Sequence, residues 1–268
     1  MEPVKGLLDR LKDGETVLCA EGYVMDFERQ GYIKSGPFVP EVVIDHPELV
    51  RQKYRDFVNA GSDVVPALTR TLIPMTGLPA VVTVAPRYMG NGAVAFVDGV
   101  GLLDGLRQLE AAGAAVVGFN CAYGPSGMVD LIQRAQKAGL KIPLAALPVL
   151  YRTERNENWI RLKDPRTGKP TYPTDIDCNQ CNRSDVQDFT KKCIDLGIQY
   201  IGLCCGNAPH FTRTMAETLG RKPRASRYAP DMSLSVVFGT SDKIKGNCSK
   251  LYTIGSSKPC ENDNTIYY

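Results

Sequence analysis

The sequence predicts an α/β fold built on parallel strands. Three observations carry the prediction. Short β-rich apolar runs alternate with helix-period segments, turn formers separate them, and six such units occupy about 34 residues each. In chain order the strands are predicted at Thr16–Ala20, Asp63–Leu68, Ala80–Ala85, Ala115–Asn120, Pro143–Val149 and Tyr200–Cys204. After Pro47, the residues Val50, Tyr54, Phe57 and Val58 share one helix face, and Leu102, Leu106 and Leu109 do the same before Gly113. Ser184 and Gln187 have capping-box spacing ahead of Val186, Phe189, Cys193 and Ile194, with Gly197 as the stop. Phe211, Met215 and Leu219 stand four apart, and Gly220 follows.

Eight units of this length would need about 270 residues, as in a complete TIM barrel, so two units are missing. A doubly wound sheet tolerates six strands, but its glycine-rich phosphate turn is absent after the first strand, where Ala20, Glu21, Gly22 and Tyr23 stand. The expected architecture is therefore a TIM-type (β/α) barrel, incomplete, with about six parallel strands. It is expected over residues 1–235, with an irregular C-terminal tail over 236–268. The break falls at Arg70 to Leu78: nine residues, including Pro74 and Gly77, join the second and third strands. A parallel crossover takes about a dozen.

Composition narrows the function. A hydrophobic share of 43% with 23% charged residues is a globular balance, which excludes a disordered or fibrous chain. The longest nearly uncharged apolar stretch, Ile142 to Tyr151, is half of the ~20 residues a membrane helix needs. The opening residues, Met1 to Glu15, alternate charge with apolar side chains and offer no signal-peptide centre. A cytoplasmic protein without a membrane partner is expected. Net charge is +3, and the basic cluster Arg221, Lys222, Arg224 and Arg227 lacks an aromatic residue to stack on a base, so no nucleic-acid partner is expected. Nine cysteines in a chain of this length argue for reduced thiols, in the core or on a metal, instead of a disulfide framework.

Two cysteine sites close predicted strands. Cys121 follows Val116–Asn120, and Cys204-Cys205 follow Tyr200 to Leu203 ahead of Gly206. Strand ends form the active face of a barrel, so three sulfurs distant in sequence can meet there. Three sulfur ligands with an open fourth position make a catalytic zinc arrangement, while small buried hydrophobes are the other reading of the same residues. Adjacent cysteines in a regular strand point to opposite faces, so both reach one ion only if the strand ends before them. Cys178-Asn179-Gln180-Cys181 is a CxxC, open to a thiol-redox role or to two incidental loop thiols. Trp159 reads as the anchor of a long loop.

Gly118-Phe119-Asn120-Cys121 with Gly202-Leu203-Cys204-Cys205-Gly206 resembles the two zinc motifs of the homocysteine S-methyltransferase family, Gly-x-Asn-Cys and Gly-x-Cys-Cys-Gly. Further segments are similar to its betaine–homocysteine branch: Glu28-Arg29-Gln30-Gly31-Tyr32, Gly36-Pro37-Phe38-Val39-Pro40-Glu41, His46-Pro47-Glu48 and Ala60-Gly61-Ser62-Asp63. The resemblance implies a (β/α)8 barrel that moves a methyl group from betaine, or a related onium donor, to homocysteine, giving methionine. It implies zinc as cofactor, held by Cys121, Cys204 and Cys205, with no catalytic group beyond the zinc site. The implied partners are small-molecule substrates, and a homo-oligomer is compatible with it. Phe38 occupies the aromatic position facing the donor cation. Where the family has an Asp-Gly-Gly turn this chain has Ala20, Glu21 and Gly22, so Glu21 is the candidate for homocysteine's ammonium, with Gly22 beside it. The short Arg70–Leu78 connection coincides with two further units of the family that supply substrate-binding groups. Two alternatives therefore stand beside the enzyme. One is a catalytically impaired shortened isoform or incomplete gene product that keeps zinc binding, and the other is a thiol-redox protein using Cys178 and Cys181.

Overall fold

A computed structural model of the chain describes residues 5–33, 42–64, 79–89, 92–96, 99–153, 157–206 and 208–228. The chain divides into two compact units, Met1–Ser226 and Arg227–Tyr268, and the architecture below belongs to the first. Its helices are α1 (Leu7–Lys12), α2 (Val24–Arg29), α3 (Val42–Asp45), α4 (Pro47–Asn59), α5 (Leu102–Ala111), α6 (Pro125–Ala135), α7 (Arg183–Asp195) and α8 (Pro209–Thr218). Its strands are β1 (Val17–Cys19), β2 (Val81–Val84), β3 (Arg87–Tyr88), β4 (Val94–Ala95), β5 (Val116–Asn120), β6 (Leu144–Leu147) and β7 (Tyr200–Gly202). Among the described residues no helix is long and apolar enough to cross a membrane.

Five strands form one parallel sheet in the order β1-β7-β6-β5-β2, and Val64 makes a further parallel bridge to Cys19. The first strand pairs with the last, in the register Val17↔Tyr200, Leu18↔Ile201 and Cys19↔Gly202. From Val64 through β1 and β7 to β2 the strands follow a cyclic chain order without the reversal that defines a doubly wound sheet. The fold is a TIM-type barrel, incomplete among the described residues, in which no pairing joins Val64 to Val81. Among the described residues nothing pairs with the free edge of β2, and all four of its residues are partly exposed, whereas β6 is buried throughout. Residues 65–78, with the Arg70–Leu78 connection and most of the expected second strand, lie outside the described residues, as do Phe38 and the 236–268 tail.

Alternation along the strands sorts their side chains into two layers. Leu18, Val117, Phe119, Ala146 and Ile201 pack outward with helix residues such as Leu106, Leu131, Phe189 and Met215. Val17, Cys19, Val116, Ala145, Leu147 and Tyr200 form a second, interior cluster. Gly118 lies where β5 meets β6: a Cβ there would sit 2.0 Å from the Ala145 carbonyl oxygen, so glycine is what lets the strands approach.

Local details depart from the sequence expectation. The capping box of α7 is Asn182 with Asp185, at 2.9 and 2.8 Å, and not Ser184 with Gln187. Both pairs have the right spacing, and the extended backbone of Asn182 (φ −98°, ψ −178°) decides between them. Val58 and Ile194 are exposed because the buried stripes run through Val50 and Phe57, and through Val186, Phe189 and Cys193. Each lies about 100° around the helix from a buried neighbour. The antiparallel pair β3–β4 was not expected. Its strands are too short to show alternation, although Asn91-Gly92 is a hairpin signal and Gly92 stands at φ 78°.

Candidate metal and substrate site

β5 ends at Asn120, and the next two residues, Cys121 and Ala122, take left-handed φ values of 59° and 63°. That conformation costs a non-glycine residue on the order of 1 kcal/mol, so the turn must be held. Cys121 N–H donates to Leu147 O at 3.0 Å and Tyr123 N–H to Cys121 O at 2.7 Å. The second segment leaves β7 after Gly202. Cys204 N–H donates to Pro148 O (2.8 Å), Leu150 N–H to Cys205 O (3.2 Å), and Gly22 N–H to Cys204 O (2.8 Å). These bonds fasten Cys204-Cys205 between the exits of β1 and β6. Because the strand has ended, adjacent cysteines turn their sulfurs together, 3.7 Å apart.

Cys121 Sγ lies 3.7 Å from Cys205 Sγ, and all three sulfurs fall within 4.8 Å of one another. The Asn120 amide donates to Cys204 Sγ at 3.6 Å. Contacts with the Cys204 and Cys205 thiols pull Cys121 below the usual cysteine range, while Cys204 and Cys205, beside Cys121, are held above it. One thiolate is thus stabilised by its neighbours, and ionising all three needs a cation. Three soft sulfurs at these separations are a donor set that fits zinc.

Glu21, two residues after β1, is fully buried and faces the same loop. A Cβ on Gly206 would come 2.1 Å from Glu21 Oε2 and 2.5 Å from a Leu150 methyl, so a larger residue there would displace the carboxylate. Neither carboxylate oxygen makes a hydrogen bond of normal geometry. Burial pushes its pKa up to about 8, against the opposing pull of the Ala208 N–H and the Lys53 charge. Lys53 is itself ion-paired with Asp26. Gly22 contributes its N–H to the Cys204 carbonyl and so ties the first strand's exit to the sulfurs.

An aromatic cluster backs the thiols. Tyr151 and Trp159 stack at 5.3 Å and 5°, Tyr172 meets Trp159 edge-on at 5.3 Å, and Cys121, Cys204 and Cys205 pack against the group. The sequence placed Trp159 on a loop but held no local sign of its nearness to sulfur. Cys178 and Cys181 lie elsewhere, in the loop before α7. Cys178 is exposed and donates to Asp175 O at 3.2 Å, whereas burial pushes the Cys181 thiol up to about 12.

Known proteins resemble this chain along most of its length. Betaine–homocysteine S-methyltransferase 1 of Bos taurus is 24% identical, with 95% of this chain and 86% of the relative covered. That alignment extends over 363 residues, more than the 268 of this chain, so the relative carries positions with no counterpart here. The Xenopus laevis protein of the same name is 26% identical, covering 82% and 77%. S-methylmethionine–homocysteine S-methyltransferase of Pongo abelii is 24% identical, covering 80% and 81%. Among solved structures, the oxidized form of the homocysteine methyltransferase MmuM from Escherichia coli matches with a TM-score of 0.52 at 10% identity. It covers 80% of this chain and 99% of that one, a likeness of fold. The sequence model of the family described as Homocysteine S-methyltransferase matches residues 75–219, which include all three converging cysteines and more than half of the chain. The chain belongs to the homocysteine S-methyltransferase family.

Proposed function

We propose that this chain is a zinc-dependent S-methyltransferase that moves a methyl group from betaine, or a related onium donor, to homocysteine, giving methionine. The observation that carries the reading is the convergence of Cys121, Cys204 and Cys205 from two distant segments onto one point at the strand exits. When bound there, zinc supplies a Lewis acid that keeps the homocysteine sulfur deprotonated and nucleophilic at neutral pH. The rest falls to the chain's own residues. The left-handed turn at Cys121–Ala122 and the Asn120 amide orient the sulfurs. The buried, unpartnered carboxylate of Glu21 takes the homocysteine ammonium, a charge pair that offsets the burial now favouring its neutral form. Gly22 holds the adjoining backbone, and the resemblance assigns Phe38 as the aromatic residue for the donor cation. Since the donor leaves as a neutral amine, no proton has to be delivered, and positioning is the main requirement.

Among the described residues β2 pairs on one side only, which favours a second reading, in which metal binding persists while turnover is impaired. The thiol-redox alternative draws on Cys178, which is exposed, and Cys181, which is buried, in a loop that contributes no sulfur to the three-cysteine cluster. One experiment separates the three: metal content measured alongside homocysteine-dependent methyl transfer from betaine. Zinc with turnover supports the enzyme, zinc without turnover supports the impaired product, and a metal-free, inactive reduced protein overturns both.

A further inference from the structure

We propose that Tyr123 is a positioning residue of the sulfur site: its phenol oxygen, accepting from the Tyr88 backbone N–H, moors the turn that carries Cys121 to the β3–β4 hairpin. The turn needs a mooring. Cys121 and Ala122 are consecutive non-glycines at left-handed φ, and strain of that kind persists only where the surroundings over-determine the backbone. Tyr123 comes next, and both of its main-chain groups are engaged at the turn. Its N–H donates to Cys121 O at 2.7 Å, and its carbonyl accepts from Val149 N–H at 3.0 Å. The side chain is buried and carries the third attachment, Tyr88 N–H to Tyr123 Oη at 3.2 Å.

The far end of that bond is itself held. Tyr88 lies in β3, and its ring meets the Tyr123 ring edge-on at 5.3 Å. Tyr88 Oη donates to Asp130 Oδ2 at 2.7 Å, Arg134 Nε–H donates to the same oxygen at 2.8 Å, and the Arg134 guanidinium lies over the Tyr88 ring at 5.4 Å. Asp130 and Arg134 stand on α6, the helix that follows the cysteine turn. The turn is thus fastened twice to one helix, once along the chain and once through the phenol and the hairpin. Without the phenol oxygen, the Tyr88 N–H would face a ring that accepts nothing, and leaving such a donor unsatisfied is costly. A group that acts behind a metal ligand in this way fixes the ligand's direction, and metal affinity follows.

Two variants separate positioning from general stability, because they break different bonds. Tyr123→Phe removes the acceptor and keeps the ring. Tyr88→Phe removes the bond to Asp130 and keeps the backbone N–H that Tyr123 receives. In reduced, metal-free protein, Tyr123→Phe should speed both exchange of the Tyr88 amide and iodoacetamide labelling of Cys121 roughly tenfold, while the core thiol Cys193 is labelled at the parent rate. Tyr88→Phe should lower the unfolding temperature yet leave Cys121 labelling near the parent rate. Tyr123→Phe should also bind Co2+ roughly 10–100-fold more weakly, with a shifted thiolate-to-cobalt charge-transfer band, and Tyr88→Phe should keep the band in place. A folded Tyr123→Phe protein with parent labelling and parent band overturns the proposal, as does an equal change in both variants. Should Tyr123→Phe not fold, the parent protein decides. In sub-denaturing urea the Tyr88 amide and the Cys121 thiol should then open with one common equilibrium constant, and independent openings overturn the proposal. The cobalt arm rests on the metal reading above. If the parent binds no Co2+, that reading fails by itself, and the labelling of Cys121 decides the role of Tyr123.

Discussion

At the scale of single residues, Cys204 and Cys205 show how local geometry sets chemistry. Their sulfurs face Cys121 together because β7 stops at Gly202. Purified reduced protein should therefore hold about one zinc per chain, and Cys204→Ser should lose it while Cys178→Ser keeps it. Elemental analysis decides, and equal loss from both variants contradicts the ligand set. Glu21 gives a second prediction with a sign. Its folded pKa of about 8 lies above the ordinary 4.5, so the folded state binds more protons than the unfolded one in that window. Stability from this group is then fully present below the unfolded value and lost as pH rises toward 8. Glu21→Gln should stabilise the protein at pH 8 by up to roughly 4 kcal/mol, with little gain at pH 4. The same variant should weaken homocysteine binding and leave zinc in place. A pH-independent stability change, read from urea melts at both pH values, would count against a carboxylate held neutral by burial.

At the scale of the element, the amphipathic helices were legible because a 3.6-residue period is a property of neighbouring residues. Cap identity was less so, since Asn182/Asp185 and Ser184/Gln187 carry the same spacing and only the backbone chooses. Asn182→Ala should cost about 1 kcal/mol, a fall in Tm of a few degrees, whereas Ser184→Ala should cost much less. Thermal unfolding of the two variants checks this, and the reverse order would return the cap to Ser184. Strands of three to five residues carry little period of their own. Their ends were accordingly placed up to two residues too far, as at Cys204 against the observed Gly202.

At the scale of the whole molecule, an incomplete barrel, with no pairing among the described residues between Val64 and Val81, has two measurable consequences. Among the described residues β2 has a neighbour on one side only and its side chains are partly exposed, so its outward-facing amides should exchange with solvent orders of magnitude faster than those of β5, which lies between two strands. Uniform protection of both strands would show that something covers the edge. Turnover with betaine should also fall far below that of a complete relative. Losing two or three positioning contacts removes a few kcal/mol, and each ~1.4 kcal/mol is tenfold in rate. Robust methionine formation by the purified 268-residue chain would show that the open sector is dispensable.

By itself the sequence determined the parallel α/β class, the sites of the five strands seen in one sheet and the pairing of two cysteine motifs, since alternation, turn formers and short motifs are written in consecutive residues. The nine-residue Arg70–Leu78 connection likewise announced an incomplete barrel by its length alone. Only the tertiary structure decided that β1 pairs with β7, which makes the sheet cyclic instead of doubly wound. It alone placed the Glu21 carboxylate against Gly206 and the Trp159 indole beside Cys121. Those contacts join residues far apart in the chain, and they are set by how strand exits and loops pack around one point, which no local pattern of residues encodes.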